Sequence, residues 1–224
     1  MSIGKFIGRI ATVVGCFALY ALAQTVAVLP TMIGGGKTSA TVIAVVFGIS
    51  FGGLIYLLAS IYRYFLRSER PQLYGPLRPT RKTWRFMLLM VVLLVAIQVV
   101  ASIATSTHAI PESNNQESIM TSMQQAPLAM ALVAVIGAPP VEELLFRGLL
   151  MHSFPHQDQK QWVWVSGIVS AAVFGLLHSG FKDPANWLVY SALGGVFVLT
   201  YAKTKDIRYS MALHFLNNFA ALFL

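Results

Sequence analysis

Two carboxylates and a guanidinium stand close together in a stretch that is otherwise apolar. They are Glu142, Glu143 and Arg147, within Pro139-Pro140-Val141-Glu142-Glu143-Leu144-Leu145-Phe146-Arg147. The residues on either side, 126–138 and 148–151, carry no charge. Charge at bilayer depth is costly unless it is paired or meets water, so such a cluster marks a functional site by default. Later apolar stretches hold further polar residues: His178, four after Phe174, and His214 with Asn218, again four apart. Glu and His are general acid–base groups, and His and Asn can donate to an oxyanion. The set is the material of hydrolysis. On a helix, Glu143 precedes Arg147 by four residues, the favourable orientation for an ion pair. Glu142, about 100° round the helix, is then free for another task. The bland alternative is a charge network that pins helix packing, which needs no second carboxylate. For His178, His214 and Asn218 singly, the bland alternative is a hydrogen bond between helices. Three such placements in one chain favour a shared site. Glu142, His178 and His214 are equally the donor set of a catalytic zinc with an open fourth position. The sequence leaves both mechanisms open.

The elements that must position these residues are membrane helices. The chain of 224 residues is 56% hydrophobic and 11% charged, against roughly 25% charged in a soluble domain. Its mean hydropathy is +0.68. The apolar runs are continuous rather than alternating, which excludes a closed β-barrel. About seven spans of roughly 20 residues are expected: Ile10–Ile33, Ser39–Ile61, Phe86–Ile103, Pro127–Met151, Trp162–His178, Ala185–Tyr201 and Ile207–Leu224. The first run follows Lys5 and Arg9 and exceeds the roughly 7–15 apolar residues of a signal peptide, so it reads as a helix that stays. The fold class is thus an all-α, polytopic helix bundle. Residues 1–125 form three spans and a basic loop, and residues 126–224 form a catalytic core of four spans.

Charge sets the expected orientation. The loop from Arg63 to Arg85 holds seven basic residues and three prolines, including Arg70 and Pro71. With Lys5, Arg9, Arg147, Lys160, Lys203, Lys205 and Arg208 it places 14 of 16 cations on one side; only Lys37 and Lys182 fall outside. The positive-inside rule then puts the N-terminus in the cytoplasm of a cell whose cytoplasmic membrane holds the protein. The net charge of +8 faces anionic lipid, and no nucleic-acid partner is expected. The lone cysteine, Cys16, excludes an intrachain disulfide and a thiolate metal cluster.

Smaller signals are assigned to packing or to the interface. Gly48-Ile49-Ser50-Phe51-Gly52 has the G-x-S-x-G pattern, but inside a helix it reads as a close-packing glycine face. Trp162, Trp164, Trp187, Tyr62 and Tyr64 read as interfacial anchors, and His108, His152 and His156 as loop or interface residues. Pro139 and Pro140 predict a kink or break near 137–140, leaving Glu142 and Glu143 in a fresh first turn with free amide groups. One tension remains in this reading. His178 falls near the outer end of its span, whereas Glu142 and His214 fall toward the inner half. A later start or steep tilt of that helix, or a re-entrant turn at Asp183-Pro184, would reconcile them.

Glu142-Glu143-x-x-x-Arg147, Phe174-x-x-x-His178 and His214-x-x-x-Asn218, in this order on successive membrane helices, resemble the CPBP family of intramembrane proteases. That group includes CAAX prenyl proteases and bacteriocin-processing or immunity proteins, also called Abi proteins. Gly194-Gly195 through Tyr201, Lys203 and Arg208 to His214 also looks like the family's last motif. The resemblance implies peptide-bond hydrolysis on a membrane-associated peptide or protein. It implies that Glu142 and His178 activate water, and that His214 and Asn218 stabilise the oxyanion or His214 joins a metal such as Zn2+. Arg147 would orient Glu143, and Phe174 would pack. Two other classes stay open: a bacteriocin-immunity or peptide-binding protein without proteolysis, and a small transporter.

Overall fold

The computed structural model describes residues 1–34, 38–67, 74–76 and 78–222. Lys37, Arg70, Pro71 and the last two residues of the expected seventh span lie outside them. Eight helices follow one another: α1 (Ile3–Gly34), α2 (Ala40–Arg67), α3 (Arg81–Ser106), α4 (Asn114–Gln125), α5 (Pro127–Ser153), α6 (Lys160–Ser179), α7 (Pro184–Thr204) and α8 (Ile207–Ala220). The described residues contain no strand. Six helices, all but α4 and α8, are long and apolar enough to cross a membrane. The expected seventh span is shorter than its apolar run: α8 has 14 residues, about 21 Å at 1.5 Å per residue, against a hydrocarbon core of about 30 Å.

Helix ends follow local chemistry. Thr80 and Thr83 form a reciprocal capping box at the start of α3. The Asp183 carboxylate accepts from the Asn186 amide with Pro184 in the first turn of α7, and Asp206 accepts from Arg208 at the start of α8. The α7–α8 turn is closed by Lys205 in the left-handed region, at φ 57° and ψ 15°.

α5 is the axis of the bundle. Of its most apolar window 67% is buried, against 17% in α3. It passes Pro139 and Pro140 without the expected break. The helix widens into π turns on either side, over Leu132–Gly137 and Leu144–Leu150. The Ala138 amide reaches back five residues to the Val133 carbonyl, and the Met151 amide five to Phe146. A wider turn accommodates the missing proline donors while keeping the helix continuous. Glu142 and Glu143 therefore sit in mid-helix, not at a free N-terminus.

α6 and α7 form the most closely packed pair, because small residues let the backbones approach. A Cβ on Gly175 would lie 2.7 Å from the Trp187 carbonyl oxygen and 2.9 Å from the Ser191 amide nitrogen, and one on Gly194 would lie 3.3 Å from the Ala171 Cα. Gly48 and Gly52, by contrast, face outward with nothing within 4 Å of a would-be Cβ. The expected close-packing face is not used within this chain.

The α6–α7 hairpin also resolves the depth of His178. α6 starts two residues earlier than expected, at Lys160, and has 20 residues, whereas α1 has 32. At 1.5 Å per residue the hairpin is about 18 Å shorter than α1. Its tip, residues 180–183, therefore stops short of the far end of the bundle. α4 and the turn before it fill the difference: Asn186 donates to the Pro111 carbonyl at 3.1 Å, and Ser113 and Tyr190 hydroxyls lie 2.8 Å apart. A residue at the tip of a short hairpin is at the same level as the middle of a long helix.

Candidate active site

The site is assembled by α1, α5, α6 and α8. α5 contributes Glu142, Glu143 and Arg147. Glu143 and Arg147 are wholly buried, and Arg147 Nη1 lies 3.1 Å from Glu143 Oε1, the expected four-residue ion pair. Arg147 Nη2 donates to the Gly194 carbonyl of α7 at 2.7 Å. Its guanidinium carbon lies 5.0 Å from the Phe174 ring centre and 5.2 Å from that of Phe197. This cation is therefore held by one carboxylate, one carbonyl and aromatic faces. It is not a loop charge, so its place in the positive-inside count is withdrawn.

α8 contributes His214, which is 2% exposed. Its Nδ1 lies 3.0 Å from Glu143 Oε1. A carboxylate paired with Arg147 accepts, so His214 Nδ1 carries a hydrogen. His214 Nε2 lies 3.7 Å from Glu142 Oε2. α6 contributes His178, whose Nδ1 is 2.8 Å from the Phe174 carbonyl oxygen. A carbonyl only accepts, so here too Nδ1 carries the hydrogen and Nε2 is bare. His178 Nε2 lies 3.6 Å from the same Glu142 Oε2. Phe174 is the packing residue expected: its ring stacks on His178 at 4.1 Å and meets His214 edge-on at 5.7 Å.

Glu142 Oε2, His178 Nε2 and His214 Nε2 thus converge on one place, and Glu142 Oε2 is buried with no hydrogen-bond partner. A hydrogen donor or a cation belongs beside that oxygen. The donor types suit zinc, but among the described residues no group of three or more His, Cys, Asp or Glu is arranged to hold a metal ion. Water, which both donates and accepts, fits between these atoms.

Two functional contacts were not foreseen. The Tyr20 hydroxyl of α1 donates to Glu142 Oε1 at 2.7 Å, and Tyr20 is 8% exposed. It fixes the carboxylate so that Oε2 faces the histidines. Only its polarity within an apolar run pointed to it. Asn218 does not touch the acid–base atoms in the contacts observed. Its amide donates to the Ala134 carbonyl at 2.9 Å, in the first π turn of α5, and its Oδ1 accepts from Asn217 at 3.3 Å. It ties α8 to α5 one turn beyond His214.

Elsewhere, His152 is not at the interface. It is buried, with Nε2 2.7 Å from the Tyr201 hydroxyl, which in turn lies 2.7 Å from that of Tyr62. Tyr62 is therefore a buried network residue, whereas Tyr64 and Trp164 remain outward-facing as expected. Arg9 is buried too, donating to the carbonyls of His152 and Phe65.

About half of the chain is similar to known proteins. YdiL of Bacillus subtilis (strain 168), a candidate membrane peptidase, is 31% identical over 107 residues, covering 48% of this chain and 41% of that protein. MroQ of Staphylococcus aureus (strain USA300), a membrane-embedded CAAX protease, is 29% identical over 110 residues, covering 47% and 42%. The UPF0177 protein YvdC of Lactococcus lactis subsp. lactis (strain IL1403) is 27% identical over 113 residues, covering 50% and 41%. The alignments thus span about two fifths of each relative's length. No solved structure matches the chain. Residues 124–220 of this multi-pass membrane protein match the family described as type II CAAX prenyl endopeptidase Rce1-like.

Proposed function

We propose that the chain is an intramembrane endopeptidase in which Glu142 and His178 activate water against a peptide bond of a membrane-associated substrate. The observation that carries this reading is the facing of Glu142 Oε2 and His178 Nε2, 3.6 Å apart, with both lone pairs directed at one place. A water there donates one hydrogen to each, which orients its own lone pair outward toward a carbonyl carbon. Exposure separates the roles. The side chains of Glu142 and His178 keep 10% and 19% exposure, whereas Glu143 and Arg147 have none. The open pair meets substrate; the closed pair holds His214.

In the first step a water proton passes to the dyad as the oxygen bonds to the carbonyl carbon, giving a tetrahedral oxyanion. His214, carrying a hydrogen on Nε2 that is present from the outset and kept throughout, is the donor placed for that oxyanion, with Glu143 balancing its charge at Nδ1. The dyad then returns the proton to the departing amine as the C–N bond breaks, leaving a carboxylic acid and an amine. Asn218 supports this arrangement from its bond to Ala134 rather than from a contact with the acid–base atoms.

The test is cleavage of a mixed peptide library, prenylated and unprenylated, by protein in nanodiscs. Cleavage by wild type that is lost in both Glu142→Gln and His178→Ala supports the reading. Undiminished cleavage in either folded variant refutes it. Zinc content of the same samples tests the metal expectation separately.

A further inference from the structure

A second site lies at the basic end of the bundle, away from the acid–base cluster. A cavity of about 410 Å3 opens between the end of α2, the connector at Tyr74–Pro76 and the α7–α8 turn. Its lining includes Arg63, Arg67, Lys205 and Arg208 against one acid, Asp206. Asp206 is already engaged: both its oxygens accept from Arg208, the shortest bond being 2.7 Å. Among the described residues the lining therefore carries more cations than acids. Arg63 reaches the Ser60 hydroxyl at 3.3 Å, and Arg67 and Arg63 are exposed at the end of α2.

Lys205 gives the cavity a built wall. The turn uses a lysine in the left-handed conformation, where glycine is the less strained choice. Its carbonyl accepts from the Gly75 amide at 3.0 Å, which fixes the connector against the turn. Its ammonium lies 5.1 Å from the Tyr74 ring centre. Burial lowers its pKa from the ordinary lysine value, a cost that a neighbouring anion offsets. Tyr74 is itself braced, stacked on Tyr201 and edge-on to His152.

The level of the cavity identifies the ligand. Tyr64 and Trp84, 69% and 62% exposed, flank the same ends of α2 and α3 as an interfacial belt. A cationic, aromatic-walled recess at that level meets phosphates of lipid before it meets anything dissolved. We propose that this recess binds the phosphate of an anionic phospholipid headgroup, through Arg67, Lys205 and Arg63.

The experiment uses the full chain in detergent, titrated with phosphatidylglycerol, with phosphatidylcholine and with inorganic phosphate, the bound copies being counted by native mass spectrometry. A basic residue at a membrane surface contributes about 1 kcal/mol toward an anionic lipid, or about fivefold at 1.36 kcal/mol per tenfold. The Arg67→Gln/Lys205→Gln pair should therefore retain phosphatidylglycerol about thirtyfold more weakly, and Arg63→Gln or Arg67→Gln alone about fivefold. Phosphatidylcholine retention and the Lys182→Gln control, at the other end of the bundle, should not change. The single exposed variants keep the test valid where the double variant melts early. Equal retention of both lipids, undiminished retention in the folded variants, or filling of the recess by free phosphate but not by lipid would overturn the proposal.

Discussion

Replacing Glu143 by Gln tests whether the closed half of the site is held by charge. Glu143 and Arg147 have no exposed side-chain surface and lie 3.1 Å apart. The substitution keeps the shape and an acceptor for His214 but leaves a guanidinium in a dry core. Removing one partner of a buried pair costs about 3–5 kcal/mol. Here the lower end applies, because Arg147 keeps its bond to Gly194, its aromatic faces and the attraction of Glu142. At roughly 2–4 °C per kcal/mol for a chain of this size, the melting temperature should fall by roughly 10 °C. Tryptophan fluorescence on heating the detergent-solubilised protein reads it directly. The Glu143→Gln/Arg147→Met double variant removes the stranded charge as well and should recover most of the loss. Equal melting of wild type and Glu143→Gln, or a double variant no more stable than the single one, would refute the account of a charge-held half-site.

Three other perturbations separate positioning from chemistry. Tyr20→Phe removes one hydrogen bond to a carboxylate, about 1.5–3 kcal/mol. Turnover should fall on the order of 10- to 100-fold and the melting temperature by several degrees at roughly 2–4 °C per kcal/mol, with the ring's edge contact with Phe51 kept; unchanged turnover would remove Tyr20 from the site. Gly175→Ala would set a methyl 2.7 Å from the Trp187 carbonyl oxygen and should part α6 from α7 and displace His178. Gly195→Ala, with nothing within 4 Å, should be silent in both stability and turnover. Asn218→Ala should cost about 1 kcal/mol of stability through its bond to Ala134. An abolished turnover at unchanged melting would instead return Asn218 to the oxyanion.

The residues that converge between α5, α6 and α8 were legible because ionisable side chains within apolar helices have few structural uses. The four-residue spacing of Glu143 and Arg147 gave their pairing outright. Depth was not legible. The level of His178 depends on how far the α6–α7 hairpin reaches, and hydropathy reports only how many residues are apolar. The continuity of α5 through Pro139-Pro140 was hidden for a related reason: proline breaks an α register, but a π turn changes the register instead. His152 and Tyr62 were misplaced because residues near a span end read as interfacial whether they face lipid or protein. Tyr20 lay beyond reach of local pattern, since its partner is 122 residues away.

The bond between Tyr20 and Glu142 bears on how modular the protein is. The segment shared with its relatives supplies the carboxylates and histidines, yet one oxygen of Glu142 is held by the first helix of the chain. A graft of residues 124–220 onto another set of N-terminal helices would carry every recognisable motif and still leave Glu142 free to swivel. Transplanting the Glu142 geometry thus requires a hydroxyl at one register of a foreign helix. The phase of that helix about its own axis, more than its overall resemblance to α1, decides whether the chimera keeps it.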